Sequence, residues 1–187
     1  KARIPLLTAP AFAMFMHGCP WFDRVWQDHR PRWHQFMGWL HLRRRLRGAG
    51  FTRVYDLQTS SRSSLYLRAF FCSYLGAGRP DWSGIASGAS HPHDNPGRDM
   101  MHTLERQAEQ LAMAGIANVP APDLDWVEAD TTRFELQMPY ALVVPGGSVH
   151  RPGKRWPADY YLELCRRLLA VDIQPVLIGG RDEIHLT

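Results

Sequence analysis

A glycine-rich loop near the carboxyl end carries the strongest chemical signal in the sequence. Gly146, Gly147 and Ser148 follow a short apolar run, and Lys154 comes six residues later. Glycines let the backbone approach a ligand closely, a serine hydroxyl donates to oxygen, and the N-terminus of the helix that follows favours negative charge. The loop therefore predicts an anion site suited to a diphosphate.

Two further features narrow the chemistry of this loop. Gly147 and Gly153 are spaced one residue too far apart for a Walker A loop, and Arg155 stands where that loop has Ser or Thr. An ATPase loop is therefore disfavoured. Only Lys1 and Lys154 are lysines among 22 basic residues, so Lys154 indicates a site that needs a compact point charge. The alternative is a solvated loop lysine.

A second polar cluster lies upstream, after a predicted strand that ends near Leu57. Asp56 and Gln58 are followed by a run of hydroxyl residues and by Arg62, just before a helix that is predicted to begin at Leu65. A helix needs only one Ser or Thr as its N-cap, so the cluster favours a polar-ligand site, with Gln58 and Arg62 as the candidates. Asp56 is either a ligand or a buried structural carboxylate.

Alternating strands and helices position both clusters. The apolar runs 141–144 and 174–178 flank an amphipathic helix that starts at Pro157, which predicts a parallel crossover whose first strand is buried on both faces. Further strands are predicted at 4–8, 21–26, 51–57, 82–85 and 124–127, and further helices at 9–19, 33–47, 65–74 and 99–114. The helix at 99–114 is expected to face inward through Met101, Leu104, Ala108, Leu111 and Ala112. The class is α/β with mainly parallel sheets.

Two separate motifs resemble the glycosyltransferase family that contains the lipopolysaccharide heptosyltransferases. The first is Pro145-Gly146-Gly147-Ser148, then Lys154-Arg155-Trp156-Pro157, then Gly179-Gly180 with Glu183; the second is Asp56-Leu57-Gln58 with Arg62-Ser63. The resemblance implies a GT-B-like fold of two doubly wound domains, both incomplete in this chain. Residues 1–137 would be the acceptor-side domain without its first strand, and residues 138–187 the start of the donor-binding domain.

The same resemblance implies the activity and the roles of the residues. The enzyme would transfer a sugar, most simply heptose from an ADP-linked donor, to a lipopolysaccharide core, with inversion and without a metal or cofactor. Gly146, Gly147, Ser148 and Lys154 would bind the donor diphosphate, and the catalytic base would precede residue 1. Asp56, Gln58 and Arg62 would face the acceptor. His102, near a predicted helix start where the family often has a histidine, would join them or be a surface residue.

Composition sets the remaining expectations. Three widely spaced cysteines in apolar contexts and the lack of a long apolar run indicate a cytoplasmic protein without membrane spans. The net charge of +4 suits anionic partners. The arginine cluster at 43–47 is either a solvated helix end or a peripheral contact with an anionic inner membrane. No nucleic-acid-binding motif is recognisable.

Two other functions compete with sugar transfer. One is a non-catalytic module that binds nucleotide sugars or phosphate, in which the anion loop is present without a base. The other is a phosphatase or NTPase on a similar sheet, which the Walker A mismatch disfavours.

Overall fold

The computed structural model describes residues 2–71, 78–147 and 152–180. Its helices are α1 (Pro10–Met16), α2 (Phe36–Gly48), α3 (Ser61–Phe70), α4 (Thr103–Met113) and α5 (Ala158–Leu169). Its strands are β1 (Pro5–Thr8), β2 (Arg24–Gln27), β3 (Arg53–Tyr55), β4 (Asp81–Gly84), β5 (His91–Pro92), β6 (Tyr140–Val143) and β7 (Gln174–Leu177). The chain divides into two compact units, Lys1–Val127 and Glu128–Thr187. The assignment of acceptor-side and donor-binding domains stays a prediction.

Every strand pair in the described residues is parallel, as predicted. In the first unit β1 pairs with β2, and β3, β4 and β5 form a second sheet in that order. The strand predicted near residues 82–85 is confirmed as β4. Since the strands of a sheet run the same way, the loops after β3, β4 and β5 gather at one edge.

The core of the first unit lies where α2 and α3 pack against the β3–β4–β5 sheet. Its buried side chains are Leu42, Leu46, Tyr66, Leu67, Phe70, Trp82 and Ala86. Leu42 and Leu46 are one helical turn apart, so α2 presents one apolar stripe to the core. Tyr66 stacks on Phe70 with ring centroids 5.3 Å apart. This packing fixes the start of α3 and hence the position of Arg62.

Helix α3 begins four residues earlier than predicted. Ser60 accepts a hydrogen bond from the Ser63 backbone N–H, and the Ser63 hydroxyl accepts one from the Ser60 N–H. This reciprocal capping box satisfies two donors that a helix start leaves unpaired. The part of the polar cluster from Ser60 to Ser63 therefore forms the N-cap and first turn of α3, and the Ser60 hydroxyl serves as the cap.

The second unit contains β6, α5 and β7 in a parallel crossover. Tyr140 pairs with Gln174 and Val143 with Leu177. The prediction that β6 is buried on both faces is wrong for this unit, because Val143 is buried whereas Leu142 is 57% exposed. Within the described residues of this unit α5 alone is available to cover the two-stranded sheet, and one helix covers one face.

Two other predictions are corrected by the structure. The strand predicted at 124–127 is a turn, closed by the Val127 N–H bonding to the Leu124 carbonyl. The face of helix α4 that was expected to point inward does so only in part, since Ala108 and Leu111 are half-buried, Leu104 is half exposed and Gln110 is buried. No helix in the described ranges has both the length and the apolar character to cross a bilayer.

Candidate functional site

The three-stranded sheet ends in a set of polar residues. The Asp56 N–H donates to the Ser83 carbonyl at 2.8 Å, and the His93 N–H donates to the Gly84 carbonyl at 3.0 Å. These bonds extend the ladder by one residue past β3 and β5. Asp56, Gly84 and His93 therefore lie side by side at the carboxyl edge, where open parallel sheets bind ligands.

Asp56 is a buried carboxylate with one satisfied oxygen. Its Oδ1 accepts the Thr59 N–H at 3.0 Å, whereas its buried Oδ2 has no hydrogen-bond partner among the described residues. Burial raises the pKa of this carboxyl, and the nearby Ser63 hydroxyl and the Thr59 N–H oppose the shift. An unpaired buried carboxylate oxygen lowers the free energy of unfolding, so the position of Asp56 reduces the stability of the fold. The ligand role and the structural role of Asp56 both stay predictions.

The loop after β3 is held by contacts from distant segments. Gln110 Nε2 donates to the Asp56 carbonyl at 3.0 Å, and Arg98 Nη2 donates to Thr59 Oγ1 at 3.0 Å. Thr59 has φ +46°, a left-handed conformation that costs free energy for a β-branched residue. Gln58, the predicted acceptor-side amide, is exposed beside this strained residue.

Arg62 lies in a network that sequence reasoning did not identify. Its Nε donates to the Tyr66 hydroxyl at 2.7 Å, and that hydroxyl donates to Asp28 Oδ2 at 2.5 Å. Its Nη2 donates to the Pro31 carbonyl at 3.2 Å, and its guanidinium lies 5.1 Å from the Trp39 ring centroid. The side chain of Arg62 is therefore positioned by the segment that follows β2.

His93 and His102 have different environments. His93 is buried, and its Nε2 lies 3.0 Å from Glu109 Oε2 while Asn95 donates to both Glu109 oxygens. The hydrogen bond with His93, followed by that from Asn95, lowers the pKa of Glu109. His102 is the N-cap of α4, where its Nδ1 accepts the Leu104 N–H at 3.4 Å. His102 is exposed, and its ligand role stays a prediction.

In the second unit, the loop after β6 is closed by Arg155. The Arg155 guanidinium donates to the Gly147 carbonyl through Nε at 3.2 Å and Nη2 at 2.7 Å. Lys154 ends a short 3-10 turn, Pro152–Lys154, and is exposed. Gly146 is half-buried and Gly147 is exposed. Ser148, the fourth predicted diphosphate ligand, and Glu183 of the family motif lie outside the described residues.

Helix α5 begins directly after this loop without a side-chain cap. Its N-cap residue is Pro157, whose side chain makes no capping hydrogen bond. Trp156 stacks on Tyr160 with centroids 5.4 Å apart and meets Tyr161 edge-on at 5.2 Å. Aromatic packing thus fixes the segment that carries Lys154 at the start of α5, where the helix dipole favours an anion.

Sequence reasoning did not identify several residues of the site. Asp28 could have been found, because a carboxylate directly after a strand obeys the rule that drew attention to Asp56. Gln110 could have been suspected as a polar residue beside apolar ones in a predicted helix. Tyr66 and Arg98 gave no such signal, because their contacts join segments 38 and 39 residues apart.

Parallel α/β units with polar loops at the carboxyl ends of their strands define an α/β protein of the GT-B-like class, as predicted. A family model described as glycosyltransferase family 9 (heptosyltransferase) matches residues 39–185. The chain belongs to this family, which confirms the resemblance noted in the sequence.

Among solved structures, the E. coli ADP-heptose LPS heptosyltransferase II is similar to this chain, with a TM-score of 0.65. The two are 19% identical, and the match covers 100% of this chain and 58% of that one. This likeness shows the fold, and the chain spans little over half the length of that relative. A search of curated proteins found no significant match.

Proposed function

We propose that this chain forms part of a glycosyltransferase that moves a sugar from a nucleotide diphosphate donor to an acceptor hydroxyl. The donor proposed is ADP-heptose, and the acceptor is a lipopolysaccharide core. Family membership and the fold shared with an ADP-heptose LPS heptosyltransferase support this choice. We place the enzyme in the cytoplasm at the inner membrane, where an acceptor of this kind is built.

The observation that carries the proposal is the loop around Lys154. An exposed ammonium lies between the glycine loop after β6 and the uncapped start of α5. An alanine Cβ at Gly147 would come no closer than 3.5 Å to Arg155 Cγ, an ordinary contact. Among the described residues, packing does not itself require glycine there, which supports a ligand as the reason for it.

The chemistry follows from the charge that develops during transfer. When the bond from the sugar to the diphosphate breaks, the leaving oxygens gain negative charge. The Lys154 ammonium and the N–H groups of the first residues of α5 stabilise that charge, and we assign Ser148 and the Gly146 and Gly147 backbone to the same role. We propose an inverting reaction that needs no metal, with its base outside these residues.

The acceptor is assigned to the first unit. Gln58 is exposed, and Arg62 is fixed by the Tyr66 hydroxyl and the Pro31 carbonyl, so a fixed guanidinium is available for an anionic group of the acceptor. Asp56 and His102 are further candidates for contact with the acceptor.

The test is Lys154→Ala in the complete enzyme. We expect the transfer rate to fall by about 100- to 1000-fold, as it does when a preorganised donor to a developing anion is lost. Thermal unfolding should not change, because the side chain is exposed. Arg166→Ala, which removes an exposed cation from the last turn of α5, is the matched control and should keep full activity.

Unchanged turnover together with unchanged ADP affinity in Lys154→Ala would refute the proposal. A parent protein that binds nucleotide sugars tightly and transfers none would instead identify the non-catalytic binding module. A thermal-shift screen against ADP, UDP, GDP and CMP sugars identifies the nucleotide.

A further inference from the structure

The segment between Asp28 and Asp56 has an unusual charge. Residues 29–55 contain seven arginines and three histidines, with no aspartate or glutamate. A stretch whose charged side chains are all positive attracts anionic surfaces. Each arginine beside an anionic bilayer contributes about 1 kcal/mol to binding. The charge alone does not distinguish a solvated surface from a docking surface, so the apolar residues decide.

Large apolar side chains are exposed in the middle of this cationic segment. Trp33 is 89% exposed, Phe36 71% and Met37 72%. Clustered exposure of this kind is uncommon on a surface that faces only water. Tryptophan in particular favours the interface between water and lipid headgroups.

The exposed residues belong to a structured loop. The Arg32 N–H donates to Gln35 Oε1 at 2.7 Å, and Trp39 Nε1 donates to the Arg32 carbonyl at 3.0 Å. Pro31 is buried, and its carbonyl accepts the bond from Arg62. The exposure of Trp33 is therefore imposed by the fold around it.

Helix α2 continues the same surface. Met37, His41 and Arg44 are spaced three or four residues apart and all are exposed, whereas Leu42 and Leu46 face the core. An apolar start and a cationic end thus share one side of the helix. Arg30, Arg32, Trp33, Phe36, Met37 and Arg44 together are termed the arginine–tryptophan surface.

The exposed apolar side chains of α1 provide a contrast. Phe12, Met14 and Phe15 are also exposed, but residues 10–16 contain no charged side chain. Of these two exposed apolar clusters, it is therefore the arginine–tryptophan surface whose charge complements anionic lipid.

We propose that the arginine–tryptophan surface docks the enzyme on an anionic lipid bilayer. Trp33, Phe36 and Met37 enter the headgroup region, and the arginines bind lipid phosphates while their methylene stems lie along the apolar boundary. The Pro31 carbonyl joins this loop to Arg62, so docking brings the bilayer beside the proposed acceptor residues. That last point rests on the proposed function, whereas lipid binding itself does not.

The experiment is co-sedimentation of the complete protein with vesicles. We expect binding to phosphatidylcholine vesicles that contain about 30% phosphatidylglycerol, weak binding to pure phosphatidylcholine, and release in about 0.5 M salt. Arg32→Gln with Arg44→Gln should weaken binding about 30-fold, because two arginine contributions are lost. Trp33→Ser should weaken it at least about tenfold.

Met138→Ser is the matched control. Met138 is 82% exposed in the other unit, so it tests whether any exposed apolar residue has the same effect, and we expect unchanged binding. Equal binding to both vesicle types, or an equal loss in the control, would overturn the proposal. So would a concentration-dependent dimer that Trp33→Ser dissociates in the absence of vesicle binding, since a second copy would then cover the surface.

Transfer to a detergent-solubilised acceptor is a separate measurement. Vesicle binding without any transfer would refute the proposed function alone. Transfer without vesicle binding would refute the docking surface alone.

Discussion

The hydroxyl of Tyr66 offers a test of how the first unit holds Arg62, the arginine that we propose for the acceptor side. It donates to Asp28 Oδ2 at 2.5 Å and accepts from Arg62 Nε at 2.7 Å. Tyr66 itself is buried, with 5% of its surface exposed. Burial, and then the bond to Asp28, raises the pKa of Tyr66, so the hydroxyl stays protonated and remains a donor at neutral pH. Tyr66→Phe removes one oxygen and keeps the ring that stacks on Phe70.

The expected loss of stability follows from the two hydrogen bonds that Tyr66→Phe removes. A hydrogen bond to a charged group contributes about 1.5–3 kcal/mol, and the variant leaves the buried Asp28 oxygen without its hydroxyl donor and with the Arg62 guanidinium 3.7 Å away. We expect the free energy of unfolding of the first unit to fall by about 3 kcal/mol. With a typical urea dependence for a domain of this size, the unfolding midpoint should drop by about 1–2 M urea.

Tryptophan fluorescence is a suitable assay, because six of the seven tryptophans lie in residues 1–127 and report mainly on that unit. Tyr160→Phe on α5 is the matched control, since Tyr160 is 55% exposed and stacks on Trp156 through its ring. It should change the free energy of unfolding by less than about 0.5 kcal/mol.

The reasoning would be refuted if Tyr66→Phe shifted the midpoint no more than Tyr160→Phe does. From the acceptor role proposed for Arg62, Tyr66→Phe in the complete protein should also raise KM for the acceptor and leave KM for the donor unchanged. Equal changes in both values would mean that the network has only a structural role.

Two further variants test the carboxyl edge of the sheet. Gly84→Ala should destabilise the protein by about 1–3 kcal/mol in thermal or urea unfolding, because the new Cβ would lie 3.1 Å from both Asp56 Cβ and Trp82 Nε1; an unchanged midpoint would contradict this crowding. Glu109 has a lowered pKa through its bond with His93, so its contribution to stability is present above the ordinary glutamate pKa of about 4.3 and is lost as pH falls through the lowered value. Glu109→Gln should therefore be less stable than the parent at neutral pH, with the difference in melting temperature shrinking in acid; a difference that is constant with pH would exclude this linkage.

Much of the fold could be predicted from the sequence, because its signals are local. The apolar runs at β1, β6 and β7 and the helical spacing of α5 depend on neighbours within a few residues. A parallel sheet follows from the alternation of strands and helices. The turn at 124–127 shows the limit of such signals, because a short apolar stretch does not reveal whether a partner strand exists.

The candidate site was predicted only in part, and the reason is again distance along the chain. Lys154 and Gly147 were recognisable because one short loop contains them. The partners of Arg62 were not, because Asp28 and Pro31 come from another segment and Tyr66 joins them only when α3 packs on its core.

The sequence by itself determined the class of fold, the family motifs and the cationic character of residues 29–55. Only the tertiary structure decided that Trp33 stays outside the core, that Leu142 is exposed in β6, and that Arg62 is fixed by a buried tyrosine. The physical reason is that secondary structure and charge are properties of neighbouring residues. Burial and hydrogen-bond partners are decided by segments tens of residues apart, whose packing leaves some apolar side chains in solvent and closes others around a few polar atoms.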